Sequence, residues 1–425
     1  MSLINEVPLI FQKNNIASYE GHPQGPSLIN QRQHIIALLS ASVSTGNGLK
    51  VIDAKNNNFN LIDTLTFFIE SLLNSNVIND DLVVSLLLLS KQYHLQAHEI
   101  LHQNYGKPAE EDHSWNVASR YFQLSIGVLK FIELQLFPLY TCSAPDLLKV
   151  WNVFYHYNVI YSQFSMVILG LYKLKDSLFD NYSQQELNNQ TKLQGLSFNM
   201  LAKILINIYN TCNNCITNIA SLGNSKNSHT SLKNFVIFQQ QYIYGLIELF
   251  LSLQSFEIDN KIGLSCSYIK HAIGLYSCSK DDKTHSSVFY PFMVEMGNLI
   301  LKDQKKTHEL KSLFKTKYLT QKNKLKIKSQ KLAPSIKHHV AFNDSLVTET
   351  FQDFIAPLLY LLEYRYNHFN NTIALEPIIT DEQELQKNWP VAMGTPLKCI
   401  TWSFKNGKFA SENEGQRSTP TATYF

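Results

Sequence analysis

The sequence predicts an all-α fold arranged as a single helical domain. Of its 425 residues, 44% are hydrophobic, and 25 Phe and 21 Tyr supply enough bulk for a large core. Glycine and proline are scarce, at 16 and 13 residues. Apolar residues recur at helical spacing along most of the chain, without the alternation typical of half-buried strands. Together these three observations favour helices packed on helices.

The individual helices are predicted from apolar spacing and from the breakers between them. Residues 1–25 are expected to form an extended N-terminal segment, residues 26–404 the helical domain and residues 405–425 a polar, disordered tail. The predicted helices are Leu28–Leu39, Leu61–Leu73, Asp80–Tyr105, Trp115–Phe137, Leu147–Phe179, Leu193–Ile219, Phe235–Phe256, Ile262–Cys278 and one very long helix, Phe292–Leu332.

Charge and hydropathy argue against several classes of protein. A net charge of +3 is too small for a nucleic-acid-binding surface. The N-terminus has no basic start followed by an apolar run, so we expect no signal peptide and a cytoplasmic location. The segment between Lys149 and Lys173 lacks charges, but Asn152 and Asn158 interrupt it, which favours a buried core helix over a membrane span.

The stretch from Tyr360 to Leu397 has an unusual layout for a helical protein. An apolar helix from Phe351 is expected to end near His368, because Asn370-Asn371 competes for backbone hydrogen bonds. An extended segment follows through Glu376-Pro377. Thr380-Asp381 then predicts the cap of one short helix that ends at Lys387.

This stretch resembles the C-terminal signature of the Bro-type (ALIX-like) domain family, and the residues that carry the resemblance are Tyr366-Asn367-His368-Phe369-Asn370-Asn371-Thr372-Ile373. Leu196-Ser197-Phe198-Asn199-Met200-Leu201-Ala202 is similar to the opening of the family's central helix. Within the family, the match is nearest to the PalC branch of fungal pH-response regulators. The resemblance implies an elongated, banana-shaped, TPR-like helical domain with short extended segments at its N- and C-terminal edges.

The resemblance also implies a function. Such a protein is a non-catalytic adaptor without cofactors that binds the C-terminal amphipathic helix of an ESCRT-III filament subunit. It would be recruited to endosomal or cortical plasma-membrane sites and, with other pH-pathway components, support the alkaline pH response that ends in proteolytic activation of a zinc-finger transcription factor. By position, the family's partner-binding patch maps to Leu201, Ile204, Ile208, Tyr209, Phe235 and Val236.

A lysine-rich stretch after Lys302 predicts contact with an anionic membrane. Few acidic residues offset its charge, and apolar residues such as Leu313, Phe314 and Tyr318 supply an opposite side. The lysines expected to contact the lipid are Lys315, Lys317, Lys322, Lys324 and Lys326. A solvated outer face of a long packed helix is the alternative.

Two other functions stay open at this stage. His98-Glu99-Ile100-Leu101-His102 matches H-E-x-x-H, whose spacing places two imidazoles on one helix face to share a zinc ion, with Glu99 as general base of a metallopeptidase. The continuation typical of metzincins is missing, since Tyr105 and Pro108 stand where glycine and a third histidine belong. An unrelated helical scaffold is the second alternative.

Overall fold

A computed structural model of the chain shows an all-α protein, which confirms the predicted fold class. The structure describes residues 19, 22–44, 51–104, 112–139, 145–183, 197–222, 230–277, 289–290, 293–294, 347, 350–394 and 399–411. The predicted long helix at 292–332, the N-terminal segment before Tyr19 and the tail after Ser411 lie outside these residues, apart from Met293 and Val294.

The described helices follow the predicted order, and most bounds differ by a few residues, but the second helix begins at Val51, ten residues before its predicted start at Leu61. They are α1 (Gly25–Ser44), α2 (Val51–Asn74), α3 (Asp80–Asn104), α4 (Asp112–Phe131), α5 (Pro145–Ser183), α6 (Phe198–Ser221), α7 (Thr230–Glu257), α8 (Ile262–Ser277), α9 (Ala356–Phe369) and α10 (Glu382–Lys387). Side-chain caps fix several starts: Asn79 Oδ1 accepts from the Leu82 N–H before α3, and Ser197 Oγ accepts from the Met200 N–H before α6.

The chain divides into two compact units. The first comprises Met1–Ser165, Thr211–Val236 and Pro396–Tyr424, and the second comprises Met166–Asn210 and Ile237–Thr395, with Phe425. Each unit therefore combines segments that are far apart in the sequence, and α5, α6 and α7 contribute residues to both.

A buried ion pair ties α1 to the start of α3 in the first unit. Arg32 Nε lies 2.9 Å from Asp81 Oδ2, and both side chains are almost completely enclosed. The Tyr19 hydroxyl donates to the same carboxylate oxygen. Burial, followed by the charge of Asp81, raises the pKa of Tyr19, so this phenol remains a hydrogen-bond donor.

A β-hairpin near the C-terminus closes the first unit and corrects the predicted tail. Strands β1 (Trp402–Lys405) and β2 (Lys408–Ser411) pair antiparallel around Asn406 and Gly407, which both have positive φ. The ring of Phe409 packs on Trp402 and on Phe131 of α4, with centroids 4.8 and 4.9 Å apart. Residues 405–411 are therefore ordered, because this apolar face is buried.

The second unit is built on α7, α8 and α9. Tyr276 of α8 lies over Gly245 of α7 and donates its hydroxyl to the Tyr242 carbonyl at 2.7 Å. The Phe256 ring at the end of α7 stacks on Tyr366 of α9, with centroids 4.0 Å apart. These contacts hold the three helices together through aromatic packing.

Short π-helical turns occur at three helix ends. One turn, Ile132–Leu136, continues α4 almost to Pro138, and another, Phe351–Ile355, precedes α9. A third, Asn370–Ala374, follows α9, so the helical path continues past the predicted end near His368 and the extended segment begins later than predicted. The predicted short helix to Lys387 is confirmed, with Asp381 as its N-cap.

Among the helices that the structure describes, none combines the length and the hydropathy needed to cross a bilayer. The charge-free part of α5 instead contributes buried residues such as Phe154 and Ile160 to the first unit. Its Asn158 and Gln163 are buried as well. This agrees with its interpretation as a core helix.

The close contact between α4 and the hairpin predicts that Gly127 cannot be replaced. A Cβ at Gly127 would overlap the Ile400 carbonyl and lie 2.9 Å from Cδ1 of Trp402, whereas a Cβ at Gly274 of α8 meets nothing within 4 Å. Gly127→Ala should lower stability by about 1–3 kcal/mol through overpacking. Gly274→Ala is the matched control and should be neutral or stabilising by up to about 1 kcal/mol, since Ala favours helix.

Thermal unfolding followed by far-UV circular dichroism measures both variants. A melting temperature for Gly127→Ala equal to or above that of Gly274→Ala would show that the hairpin does not approach α4 so closely.

Candidate functional site

The residues predicted to form the partner-binding patch are mostly buried. On α6, Leu201, Ile204 and Ile208 are core residues of the second unit, and Tyr209 is half-buried. On α7, Phe235 and Val236 are core residues of the first unit. Their buried side chains offer no surface to a partner helix in this conformation, so Tyr209 is the member that a partner can reach.

A C-terminal strap, defined here as residues 375–394, begins at a turn that Asn370 organises. The buried amide of Asn370 accepts from the Glu376 N–H and donates to the Glu376 carbonyl, both at 3.0 Å. Leu375 between them adopts a left-handed conformation with φ 54° and ψ 31°, and its side chain is 76% exposed. A leucine in this conformation is unusual, and the two amide hydrogen bonds hold it there.

Hydrogen bonds fasten the strap to α8 and α6. The Glu376 carboxylate accepts from the Gly263 N–H at 2.7 Å and so caps the first turn of α8. The Ile379 N–H donates to Ser267 Oγ at 2.8 Å, and the Met393 N–H donates to the Lys203 carbonyl of α6 at 3.2 Å. The strap is therefore fastened to two helices of the second unit.

A buried carboxylate lies at the centre of the second unit. Glu248, in the middle of α7, is 0% exposed, and neither carboxylate oxygen has a hydrogen-bond partner within 3.5 Å among the described residues. His271 Nδ1 lies 3.6 Å from Glu248 Oε1. Tyr244 packs against His271 and against Trp389 of the strap, with centroids 5.5 and 5.2 Å apart.

The strap adds a second carboxylate to this cluster. The Tyr244 hydroxyl donates to Glu382 Oε1 at 2.7 Å, and Gln386 Nε2 donates to the Tyr244 oxygen at the same distance. Glu382 and Gln386 both belong to α10, so these two hydrogen bonds hold α10 against α7 through Tyr244. Sequence reasoning missed the cluster, because its members are spread over about 140 residues and form no motif.

The cluster alters the titration of its two central groups. Burial raises the pKa of Glu248, which His271 and Trp389 partly counteract. Burial alone would lower the pKa of His271, but the close electrostatic attraction of the Glu248 carboxylate, 3.6 Å from Nδ1, outweighs burial and raises that pKa. Both groups of the pair therefore hold their protons to higher pH than the free side chains do.

The histidines of α3 lie in an aromatic pocket of the first unit. His94 Nδ1 lies 2.8 Å from Asn158 Oδ1, which also accepts from the Ser125 hydroxyl. The rings of His94 and His98 are 4.8 Å apart, and the Nε2 atom of each is enclosed without a hydrogen-bond partner among the described residues. Burial lowers the pKa of both, that of His98 to about 4. Both rings are therefore neutral in the folded protein at neutral pH.

The first histidine of the proposed zinc motif, His98, lies in this aromatic pocket. His98 packs 4.3 Å from the Tyr161 ring, and the side chain of His102 lies outside the described residues. Among the side chains that the structure describes, no group of three His, Cys, Asp or Glu could hold a metal ion. The five predicted membrane-contacting lysines also lie outside the described residues.

These features define an all-α protein whose C-terminal segments fasten its helices. It belongs to the family of unknown function DUF5355, which matches residues 76–425. The chain is also similar to the uncharacterized protein YGR122W of Saccharomyces cerevisiae, with 23% identity over 395 residues. That similarity covers 89% of this chain and 91% of the yeast protein.

The buried histidines predict a loss of stability in acid. The pKa of His98 is 6.5 in the unfolded chain and about 4 in the folded chain. Between these pH values the unfolded chain binds more protons than the folded chain, so the free energy of unfolding falls as the pH falls. This single group accounts for about 2–3 kcal/mol over that range. His98→Leu should therefore make stability less dependent on pH between 6.5 and 4.

Urea unfolding of both proteins at several pH values measures this difference. Values at pH 8, where the ring is neutral in both states, correct for altered packing. If the two proteins lost stability equally between pH 6.5 and 4, His98 would not be neutral in the folded protein.

Proposed function

We propose that this chain is a non-catalytic adaptor of the Bro type, akin to the PalC branch, that binds an ESCRT-III filament subunit at endosomal or cortical membranes. In this role it supports the response to alkaline pH that leads to proteolytic activation of a zinc-finger transcription factor. The observation that carries the proposal is the Bro-like signature at Tyr366–Ile373, which lies at a structured helix end on an all-α framework.

The form of the signature supports this function over a chance match. Asn370 is a buried polar residue of the signature, and its amide fixes the turn into the strap. The strap then contacts α8 at Ser267 and α6 at the Lys203 carbonyl. If this chain shared the fold of the Bro family, we would expect a residue of the signature to have a structural role, as Asn370 has at this turn.

The partner would contact the second unit at the half-buried Tyr209. Trp389 of the strap lies edge-on to the Tyr209 ring, with centroids 6.1 Å apart, and Tyr244 lies 5.4 Å from it. An amphipathic helix binds a groove through apolar anchors one helical turn apart, and an aromatic surface of this kind suits one such anchor. The neighbouring side chains of α6 at Leu201, Ile204 and Ile208 are buried and anchor this helix in the core.

Tyr209→Asp should weaken binding of the C-terminal amphipathic helix of the ESCRT-III filament subunit about tenfold or more, since it places a charge in an apolar contact. Tyr364→Asp on α9 is the matched control, because Tyr364 is a 49% exposed tyrosine of the same unit outside this surface. Fluorescence anisotropy with the labelled peptide measures both affinities, and circular dichroism verifies folding.

A peptide whose apolar anchors are replaced by serine tests the same contact from the partner's side. The proposal fails if the wild-type chain shows no saturable binding, or if the anchorless peptide binds as well as the natural one.

The lysine-rich stretch would add membrane affinity to this adaptor. Replacing Lys315, Lys317, Lys322, Lys324 and Lys326 by glutamine should weaken sedimentation with phosphatidylserine vesicles, because each lysine near an anionic surface contributes about 1 kcal/mol. Neutral phosphatidylcholine vesicles are the control. Equal sedimentation of the wild-type and substituted proteins with anionic vesicles would remove membrane contact from the proposal.

A further inference from the structure

A cleft of about 450 Å³ lies within the second unit, between α8 and the strap. From α8 it is lined by Ser267, Lys270, His271, Gly274 and Leu275, whose spacing of three and four residues places them on one helix face. Ile378, Ile379 and Thr380 form the opposite wall, and Gln241 of α7 closes one end. This volume is within the range of small-molecule sites.

Most polar groups that line the cleft are already engaged. The Ser267 hydroxyl donates to the Gly263 carbonyl and accepts from the Ile379 N–H. The Gln241 amide donates to the Leu275 carbonyl at 3.0 Å. Of the described side chains that line the cleft, the two that carry ionisable groups are Lys270 and His271.

The buried Glu248 gives His271 its orientation. The carboxylate lies 3.6 Å from Nδ1, and Nδ1 is enclosed, whereas the side chain of His271 as a whole is 17% exposed. The accessible part of the ring is therefore the part away from Glu248. In its protonated form, which the neighbouring Glu248 carboxylate favours, His271 presents a second N–H donor at Nε2 toward the cleft.

The rest of the cleft is apolar and contains free space. Leu275, Ile378 and Ile379 supply aliphatic surface, and a Cβ added at Gly274 would meet no atom within 4 Å. An exposed glycine in the middle of a helix costs about 1 kcal/mol relative to alanine. Its position on the cleft wall leaves room for an apolar chain to lie against the α8 backbone.

We propose that this cleft binds a monocarboxylate that carries a short aliphatic chain. The carboxylate lies between the Lys270 ammonium and the Nε2–H of His271, and the chain passes over Gly274 against Leu275 and Ile379. Two positively charged donors attract an anion, whereas both would repel the head group of a cationic ligand. Of the carboxylates near these two groups, Glu376 and Glu382 accept hydrogen bonds from Gly263 and Tyr244 respectively. Glu248 lies on the Nδ1 side of His271, and Glu363 interacts electrostatically with Lys270.

Isothermal titration calorimetry of the full chain with octanoate tests this site. Octanamide, which has nearly the same shape without the charge, is the matched ligand. We expect saturable binding of octanoate and at least tenfold weaker binding of octanamide, as the loss of a charge-assisted hydrogen bond predicts. Equal affinities for the two ligands, or no saturable binding of octanoate, would overturn the proposal.

Variants locate the binding within the cleft. Gly274→Leu fills the free space without a clash in the helix and should abolish binding, and Lys270→Gln should weaken it about tenfold. Lys261→Gln is the control, since Lys261 is an exposed lysine of the same unit that does not line the cleft. Unchanged octanoate affinity in a folded Gly274→Leu protein would also overturn the proposal.

The same carboxylate can belong to a free acid or to a peptide terminus. Competition against octanoate by a tetrapeptide that ends in leucine, with a free or an amidated C-terminus, separates these sources. Competition by the free-acid peptide alone supports the carboxylate site with a peptide as its ligand. Competition by neither peptide supports the site with a small free acid, and equal competition by both contradicts recognition of the carboxylate.

Discussion

The structure depends on glycine residues in helices, because other parts of the chain approach the helix backbone closely at these positions. A Cβ at Gly127 would overlap the Ile400 carbonyl, one at Gly263 would overlap the Pro377 carbonyl, and one at Gly245 would overlap the Tyr276 ring. Helices pack on each other through side chains, but an extended segment must bring its own backbone close to satisfy its polar groups. Glycine permits this distance at the cost of some helix stability. The hairpin of the first unit and the strap of the second unit both rely on this constraint.

Buried polar groups give the two units opposite responses to protons. In the first unit, His94 and His98 are enclosed by aromatic rings and neutral, and burial is the main cause of their lowered pKa. In the second unit, burial raises the pKa of Glu248, and Glu248 in turn raises that of His271. Raised values favour the folded state at lower pH and lowered values favour it at higher pH. The two pairs therefore act against each other in the overall dependence of stability on pH.

Much of the fold was predictable because its signals are local. Apolar spacing located the described helices, and Asp381 predicted the cap of the short helix Glu382–Lys387. The hairpin was missed although Asn406-Gly407 is a strong signal for a tight turn, because the polar residues after Lys405 were interpreted as a disordered tail. The turn from Asn370–Ala374 into the strap depends on the buried Asn370 amide, and no local pattern predicts that contact.

The candidate sites were less predictable because they depend on which side of a helix is covered. The apolar residues of α6 extend around most of its circumference, so spacing alone could not show that Ile204 and Ile208 are buried while Tyr209 is partly exposed. The cleft and the Glu248–His271 pair combine residues from α7, α8 and the strap. Their assembly is a property of tertiary packing, whereas the sequence contains only isolated polar residues in apolar helices.

The hairpin also determines when the first unit can complete its folding during translation. This unit contains the first 165 residues, yet the Phe409 N–H donates to Glu70 and the Ile400 N–H to the Gln123 carbonyl. A ribosome produces the chain from its N-terminus, so the early helices emerge long before the strands that complete their core. The apolar surface around Phe131 must stay uncovered during most of translation. The nascent chain therefore has a long interval in which chaperones can bind it and in which a truncated product would aggregate.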